Sequence, residues 1–452
     1  MDIAGSLYPT GRIGTTNYIL TPENIVNDMI NMLPDDFWTP DIKVLDIFSK
    51  SGRFLMAAYK KLFNSPYLAD MDIAKRKHHI LSEQLYGITD DFTCLMLAES
   101  SLYGYAQYGK KNIRMIEDLQ SIVKTTDKKL VAERLGKELG GQMKFDLVIG
   151  NPPYNNDLYL DFVTVAQHLS SKYTVMITPA KWQAKGGKKN EDFRKNVVPY
   201  MSKIVYYPDT NEIFDIALSG GVTYFWADKS LHNKKDIFVR KNGKTISKRN
   251  KEFMGILDLT DDEANILNKI RSLGEITIDK CDNHKFILKM SYICIKYEGT
   301  THTNIGVLHN IEKQGTGIYF KDSKYYIEID PVYLTRPEEI GKWHLVTSVW
   351  LNNTIDTLKL GVNEVSTDNN VTIYSTSDKN EIESVESYFN CKLIWWLMYR
   401  MHVGGNVNLK AFEFVPDPGK FDHIFTDQEL YEKYNLTAEE INIIEKSVNE
   451  QR

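Results

Sequence analysis

The sequence predicts an α/β protein: a mostly parallel sheet with helices on both faces, followed by a mixed α+β part. Three observations carry that expectation. In residues 1–250 short apolar runs alternate with helical patterns, as strand–helix–strand crossovers require. Beyond 250 the pattern turns to strand-like runs at 286–297, 317–329 and 371–375, with helices over 383–400 and near the C-terminus. At 452 residues the chain is longer than one ordinary core accommodates. We therefore expect two domains, 1–250 and 251–452.

The elements of the first part follow in order. Thr21-Pro22-Glu23-Asn24 reads as a helix start, with a hydroxyl cap and proline in the first turn, running over 25–33 and stopping before Pro34. Residues 43–48 (Lys-Val-Leu-Asp-Ile-Phe) form a short buried strand, then Ser49-Lys50-Ser51-Gly52 and an amphipathic helix from Arg53. Further strands are expected at 84–89, 113–116, 145–150, 173–178 and 223–226, with a helix around 94–102. The lysine-rich stretch 121–143 reads as helix and loop. Lys234–Lys251, with eight basic residues against one acid, reads as the seam between domains or as a hairpin, with or without a duplex backbone along it.

Composition narrows the function classes. Hydrophobic residues make up 42% and charged residues 25%, which excludes a largely disordered chain. No run approaches the roughly 18 apolar residues of a membrane helix, and the N-terminus has no basic leader, so a cytoplasmic protein without membrane contact is expected. Cys94, Cys281, Cys294 and Cys391 form no CxxC pair and the ten histidines no HExxH, so neither disulfides nor a metal are expected. Charge is uneven: residues 1–250 hold 34 Lys+Arg against 28 Asp+Glu, and residues 251–452 hold 21 against 32. The basic half is the one suited to a polyanion.

The sharpest signal is Asn151-Pro152-Pro153-Tyr154 directly after the strand at 145–150. As plain structure it is a rigid turn, since two prolines fix φ and Asn before Pro is a common turn former. As chemistry it is more specific. The Asn151 side-chain oxygen and the Pro152 carbonyl can accept both hydrogens of an exocyclic amine, while the Tyr154 ring stacks on the base that carries it. Such an amine is a poor nucleophile because its lone pair is delocalised into the ring. Two acceptors that draw its N–H bonds out of plane concentrate the lone pair towards an electrophile held about 3 Å away. No strong base is needed.

The second signal is the loop after Asp46. A strand ending in Asp46-Ile47-Phe48 and followed by Ser51-Gly52 and a helix can wrap backbone around a small ligand at the carboxyl edge of a sheet. Gly52 permits close approach and Asp46 can pair with an ammonium. Neither a Walker A loop nor G-x-G-x-x-G is present.

Together these motifs resemble the gamma-class N6-adenine DNA methyltransferases, the TaqI-type and type II restriction–modification methylases, over most of residues 15–228. The resemblance implies a Rossmann-like sheet and S-adenosylmethionine as methyl donor. It implies Asn151, Pro152 and Tyr154 as the catalytic motif and Phe214 as a second aromatic contact to an extruded adenine. It places Thr21, Asp46, Ile47, Phe48, Ser51, Gly52, Thr89, Asp90, Asp118, Leu119 and Asn151 around the cofactor. Two positions depart from the family pattern: Lys50 stands where glycine is usual, and Thr89 where an acid normally holds the ribose, with Asp90 or Asp91 as its substitute.

By the same resemblance the partner is double-stranded DNA, with a cognate restriction endonuclease as a further partner, in a monomer encoded by a bacterium or phage. Residues 251–452 would then be the target-recognition domain. Lys181, Lys185, Lys188 and Lys189 are candidates for phosphate contact, with a plain surface loop as the alternative. Trp395-Trp396 are expected in a core rather than on a stacking platform. Two rival readings stand beside this one: an RNA or protein-glutamine methyltransferase sharing the four-residue motif, and a DNA-specificity subunit whose methylase half has decayed.

Overall fold

A computed structural model describes residues 7, 12–13, 18–104, 110–141, 144–183, 187–214, 218, 220–232, 236–241, 244–250, 259–281, 286–290, 292–293, 306–309, 318–321, 326–329, 334–348, 357–366, 370–400 and 409–451. The chain divides into two compact units, 1–183 with 187–258, and 184–186 with 259–452.

The first unit is built on one nine-stranded sheet. Its strands are β1 (Val44–Asp46), β2 (Leu85–Thr89), β3 (Ile113–Met115), β4 (Phe145–Gly150), β5 (Ser170–Pro179), β6 (Met201–Tyr207), β7 (Val222–Asp228), β8 (Asp236–Lys241) and β9 (Lys244–Asn250). They lie in the order β9-β8-β6-β7-β5-β4-β1-β2-β3. From β3 to β5 every pairing is parallel, whereas β7 runs antiparallel between β5 and β6. The chain reverses direction of winding between β1 and β4, the place where an open α/β sheet leaves a crevice at its carboxyl edge.

Side-chain alternation sends apolar residues to both faces. Leu45, Val148, Met176 and Phe225 pack with α4 (Lys128–Glu138), α5 (Leu158–Leu169) and α6 (Lys188–Asn196). Val44, Leu147, Ile149, Val175, Ile177 and Tyr224 pack on the opposite face with α1 (Glu23–Asn31), α2 (Arg53–Phe63) and α3 (Phe92–Tyr103). The expected doubly covered α/β sheet is therefore present.

Three local points refine the expectations. Thr21 does not cap α1; Pro22 takes the cap position with no side-chain bond, and the Thr21 hydroxyl bonds Asn151 instead. Of the two readings of the basic stretch the hairpin holds for its described residues: β8 and β9 pair antiparallel and extend the sheet beside β6. Strand β6 was not expected from the sequence; its signal is the short β-branched and aromatic run Ile204-Val205-Tyr206-Tyr207. The segment linking it to β7 turns at Gly221, where an added Cβ would lie 2.3 Å from the Tyr207 carbonyl oxygen and where φ is +76°.

The second unit holds two four-stranded sheets. One joins Phe286–Met290, Asn370–Thr376, Trp343–Ser348 and Thr357–Leu360 antiparallel; the other joins Gly306–His309, Tyr326–Ile329, Ile318–Lys321 and Glu364–Val365. The helix Asp261–Ser272, which sequence reasoning passed over, carries a capping box between Thr260 and Glu263. The helical stretch expected over 383–400 consists of two helices, Lys379–Asn390 and Lys392–Arg400, separated by extended backbone at Cys391. Trp395 and Trp396 are buried, as the core assignment requires.

Candidate functional site at the carboxyl edge of the sheet

Parallel β1 and β4 are direct neighbours, with Asp46 paired to Ile149. That register places the Asp46 loop and the Asn151–Tyr154 turn side by side. Asn151 is 3% exposed, and its amide Nδ2 donates to the Thr21 hydroxyl at 3.0 Å. This bond fixes the orientation of the amide. Oδ1 is left buried with no hydrogen-bond partner among the described residues, a costly state for a native acceptor unless a ligand completes it.

Two cavities meet at Asn151. The larger, about 240 Å³, is lined by Tyr18, Ile19, Lys50, Asn151 to Asn155, and Phe214. Thus Asn151, Pro152, Tyr154 and Phe214, separated by up to 63 positions in sequence, share one wall. The Tyr154 ring packs edge-on to Tyr159, and burial drives its hydroxyl's pKa far upward. It stays a neutral ring. Phe214 is only 4% exposed, held by its amide donating to the Thr210 carbonyl.

The smaller cavity, about 20 Å³, lies among Thr21, Asp46, Phe48, Lys50, Ser51, Gly52, Arg53 and Asn151. Asp46 is 1% exposed; burial pushes its pKa up to about 7, against the lowering pull of the Phe48 amide, the Ser49 hydroxyl and the Lys50 ammonium. The Phe48 N–H donates to Asp46 Oδ1 at 3.2 Å. Gly52 sits at φ +76° under α3, where a Cβ would come within 3.1 Å of the Ala98 Cα. Glycine is required there on both counts.

The remaining expected positions fall around, not in, these cavities. Ile47 is in the core, its amide bonded to the Ile149 carbonyl. Thr89 ends β2 and is buried. The Asp90 carboxylate accepts from the Tyr18 hydroxyl at 3.0 Å and from Gln120 Nε2 at 2.7 Å, while Asp91 caps α3 through the Cys94 amide. Asp118 is exposed and Leu119 is core. Lys181 follows β5 at the same sheet edge, Lys188 opens α6, and Lys189 is bound to the buried Asp161, which Lys128 also holds. Lys185 lies outside the described residues.

Sequence reasoning missed the strap over this edge. Residues 18–21 are fastened by Tyr18 to Asp90, by Lys50 Nζ donating to the Ile19 carbonyl at 3.0 Å, by Arg53 to the Thr21 carbonyl at 2.8 Å, and by Asn151 to the Thr21 hydroxyl. These partners are tens to more than a hundred positions apart, so nothing local signals them. Among the described residues no three His, Cys, Asp or Glu side chains are placed to hold a metal, and no helix is long and apolar enough to cross a membrane.

Residues 83–157 match the model of the Eco57I restriction-modification methylase family. Over 145 residues the chain is 31% identical to an uncharacterized adenine-specific methylase of Mycoplasma pneumoniae, covering 27% of this chain and 33% of that protein. The chain thus spans about a third of the length of the curated relative it matches. Among solved structures, a nuclease-deletion mutant of the Type ISP restriction-modification enzyme LlaGI, in complex with a DNA substrate mimic, is similar in fold. It is 12% identical with TM-score 0.53, covering 92% of this chain and 54% of that one. The modification protein of the Type I restriction enzyme EcoKI is 17% identical with TM-score 0.38, covering 49% and 48%.

Proposed function

We propose that this chain, which matches the Eco57I restriction-modification methylase family over residues 83–157 and resembles an adenine-specific methylase over 145 residues, transfers a methyl group from S-adenosylmethionine to adenine N6 in double-stranded DNA. The observation that carries the proposal is the buried, unpartnered Asn151 Oδ1 in a cavity walled by Tyr154 and Phe214. An acceptor oriented by a hydrogen bond on its other atom is suited to grip an amine N–H.

The donor set also suits the methyl donor. A buried acid, Asp46, can hold its ammonium; Gly52 gives backbone clearance; and Asn151 borders both cavities, so one residue can align the two reactants. S-adenosylmethionine supplies an electrophilic methyl on a sulfonium. Asn151 Oδ1 and the Pro152 carbonyl would accept the two amine hydrogens and turn the nitrogen lone pair towards that methyl. The amine would shed one proton to solvent on taking up the methyl, the donor departing as a neutral thioether, so no residue of this chain would be needed as a strong base. Neutral Tyr154 and Phe214 would stack on a base extruded from the duplex and recover part of its stacking energy. Asp90, fixed at the end of β2 by Tyr18 and Gln120, is the acid best placed to replace the missing ribose contact beside Thr89.

We assign residues 251–452 to target recognition and Lys181, Lys185 and Lys188 to backbone contact; Lys189, already held by Asp161, would add less. A cognate nuclease would act on the same sequence. The test is to offer duplex DNA, RNA and protein with radiolabelled S-adenosylmethionine. Label in DNA, lost with Asn151→Ala, is expected; label only in RNA or protein would overturn the DNA assignment.

A further inference from the structure

Lys50 is the residue this site does not yet explain. It is one of two side chains, with Asn151, that border both cavities. Its ammonium rests on the Ile19 carbonyl of the strap, lies over the Phe48 ring at 5.7 Å, and is attracted by Asp46. The crevice between Asp46 and Gly52 keeps about 20 Å³, room for roughly one water. Lys50 and Asp46 therefore line one crevice that, as it stands, is too small to admit a ligand.

We infer that the Lys50 ammonium is an internal competitor for the cation pocket at Asp46, which must move away or lose its proton before a cationic methyl donor can enter. The inference rests on the methyl-transfer reading and adds to it a control on donor binding. Burial makes deprotonation accessible: it pulls the Lys50 pKa down to about 8, opposed by Asp46, Cys94 and Asp90. The groups facing Lys50 are Asp46 on β1, Asp90 after β2, Cys94 on α3, Arg53 at the start of α2 and Tyr18 on the strap. Burial keeps the Cys94 thiol neutral up to about 12 and raises the Tyr18 hydroxyl further, so neither changes charge near Lys50's range. Below about 7 Asp46 itself gains a proton, which sets the lower end of a useful pH window.

Calorimetric titration of S-adenosylmethionine and of S-adenosylhomocysteine, whose sulfur is uncharged, into the full chain, Lys50→Met and Lys50→Arg tests this. Lys50→Met is expected to bind S-adenosylmethionine on the order of tenfold more tightly than the unaltered protein near pH 7.5, the scale of one like-charge contact, and S-adenosylhomocysteine, which keeps the same ammonium, with a similar gain. The unaltered protein's disadvantage against Lys50→Met should shrink towards about pH 9.5 by more than that of Lys50→Arg, because the ligand's amine loses charge for all three alike and only Lys50 also loses its own proton. Binding by Lys50→Met that is equal to or weaker than that of the unaltered protein overturns the inference; weaker binding would make Lys50 a partner of the donor's carboxylate. A disadvantage that does not shrink with pH overturns it as well. Binding of neither ligand by any folded variant would instead bring down the methyl-transfer reading, and this inference with it.

Discussion

Asn151 is held by one hydrogen bond and offers one empty acceptor, and the two halves of its amide can be tested apart. Asn151→Ala should abolish methylation while DNA binding, measured by anisotropy, stays within about twofold; the lost contact acts only in the transition state. Thr21→Val removes the hydroxyl that orients the amide. It should lower kcat roughly tenfold, about the worth of one hydrogen bond, with KM for DNA little changed, and Thr21→Ser should restore it. Loss through KM alone would give Thr21 a merely structural role. Phe214→Ala should reduce the fluorescence rise of 2-aminopurine at the target position, the signal of an unstacked base. At Asp46 the sign of the pH effect is fixed by burial. Its folded pKa, about 7, lies above its unfolded value, so its contribution is fully present below about pH 4 and is lost as pH rises through 7. Asp46→Asn should therefore raise Tm at pH 8 by roughly 2–4 °C, the equivalent of about 1 kcal/mol, while weakening donor binding. The four-residue motif was legible because its chemistry is contiguous. The roles of Tyr18, Lys50 and Gln120 were not, because tertiary contact alone joins Tyr18 to Asp90 across 72 positions and to Gln120 across 102.

At the scale of elements, the buried parallel strands declared themselves as short continuous apolar runs. Phe145–Gly150 and Leu85–Thr89 are nearly or fully buried along their length, which is what a sheet covered on both faces demands. Edges were harder. The hairpin Asp236–Asn250 is too basic to look like sheet, yet it continues the sheet through β6, and Arg240 is tied to Asp28 and Tyr224 within the fold. Charge on an edge strand guards it against pairing with other chains and hides it from a hydrophobicity reading. The turn at Gly221 follows the segment that carries Phe214. Gly221→Ala, with a Cβ forced against the Tyr207 carbonyl oxygen, should lower stability by about 2 kcal/mol or more, seen in thermal unfolding. A neutral result would mean that the turn can flip to relieve the contact.

The whole chain pairs a basic half that bears the proposed chemistry with an acidic half that we assign to sequence reading. The fold class was legible from alternating strand and helix patterns, and the likeness to the LlaGI structure extends over 92% of the chain. A proposed function was legible only in the first half, because the base-edge recognition we propose for the second would be spread over side chains with no local signature. If phosphate contacts gather at the carboxyl edge of the sheet, neutralising Lys181, Lys185 and Lys188 together should flatten the slope of log affinity against log salt by about two to three. Adding Lys189 should change it less, since Asp161 already holds that ammonium. An unchanged slope would put these lysines off the DNA.

One experiment reaches the core of this assignment. Long-read sequencing of DNA from a methylation-free host expressing the chain should reveal N6-methyladenine at one recurring sequence, absent when Asn151→Ala is expressed at equal level. Unmodified DNA beside abundant folded protein, or modification that survives Asn151→Ala, would contradict it.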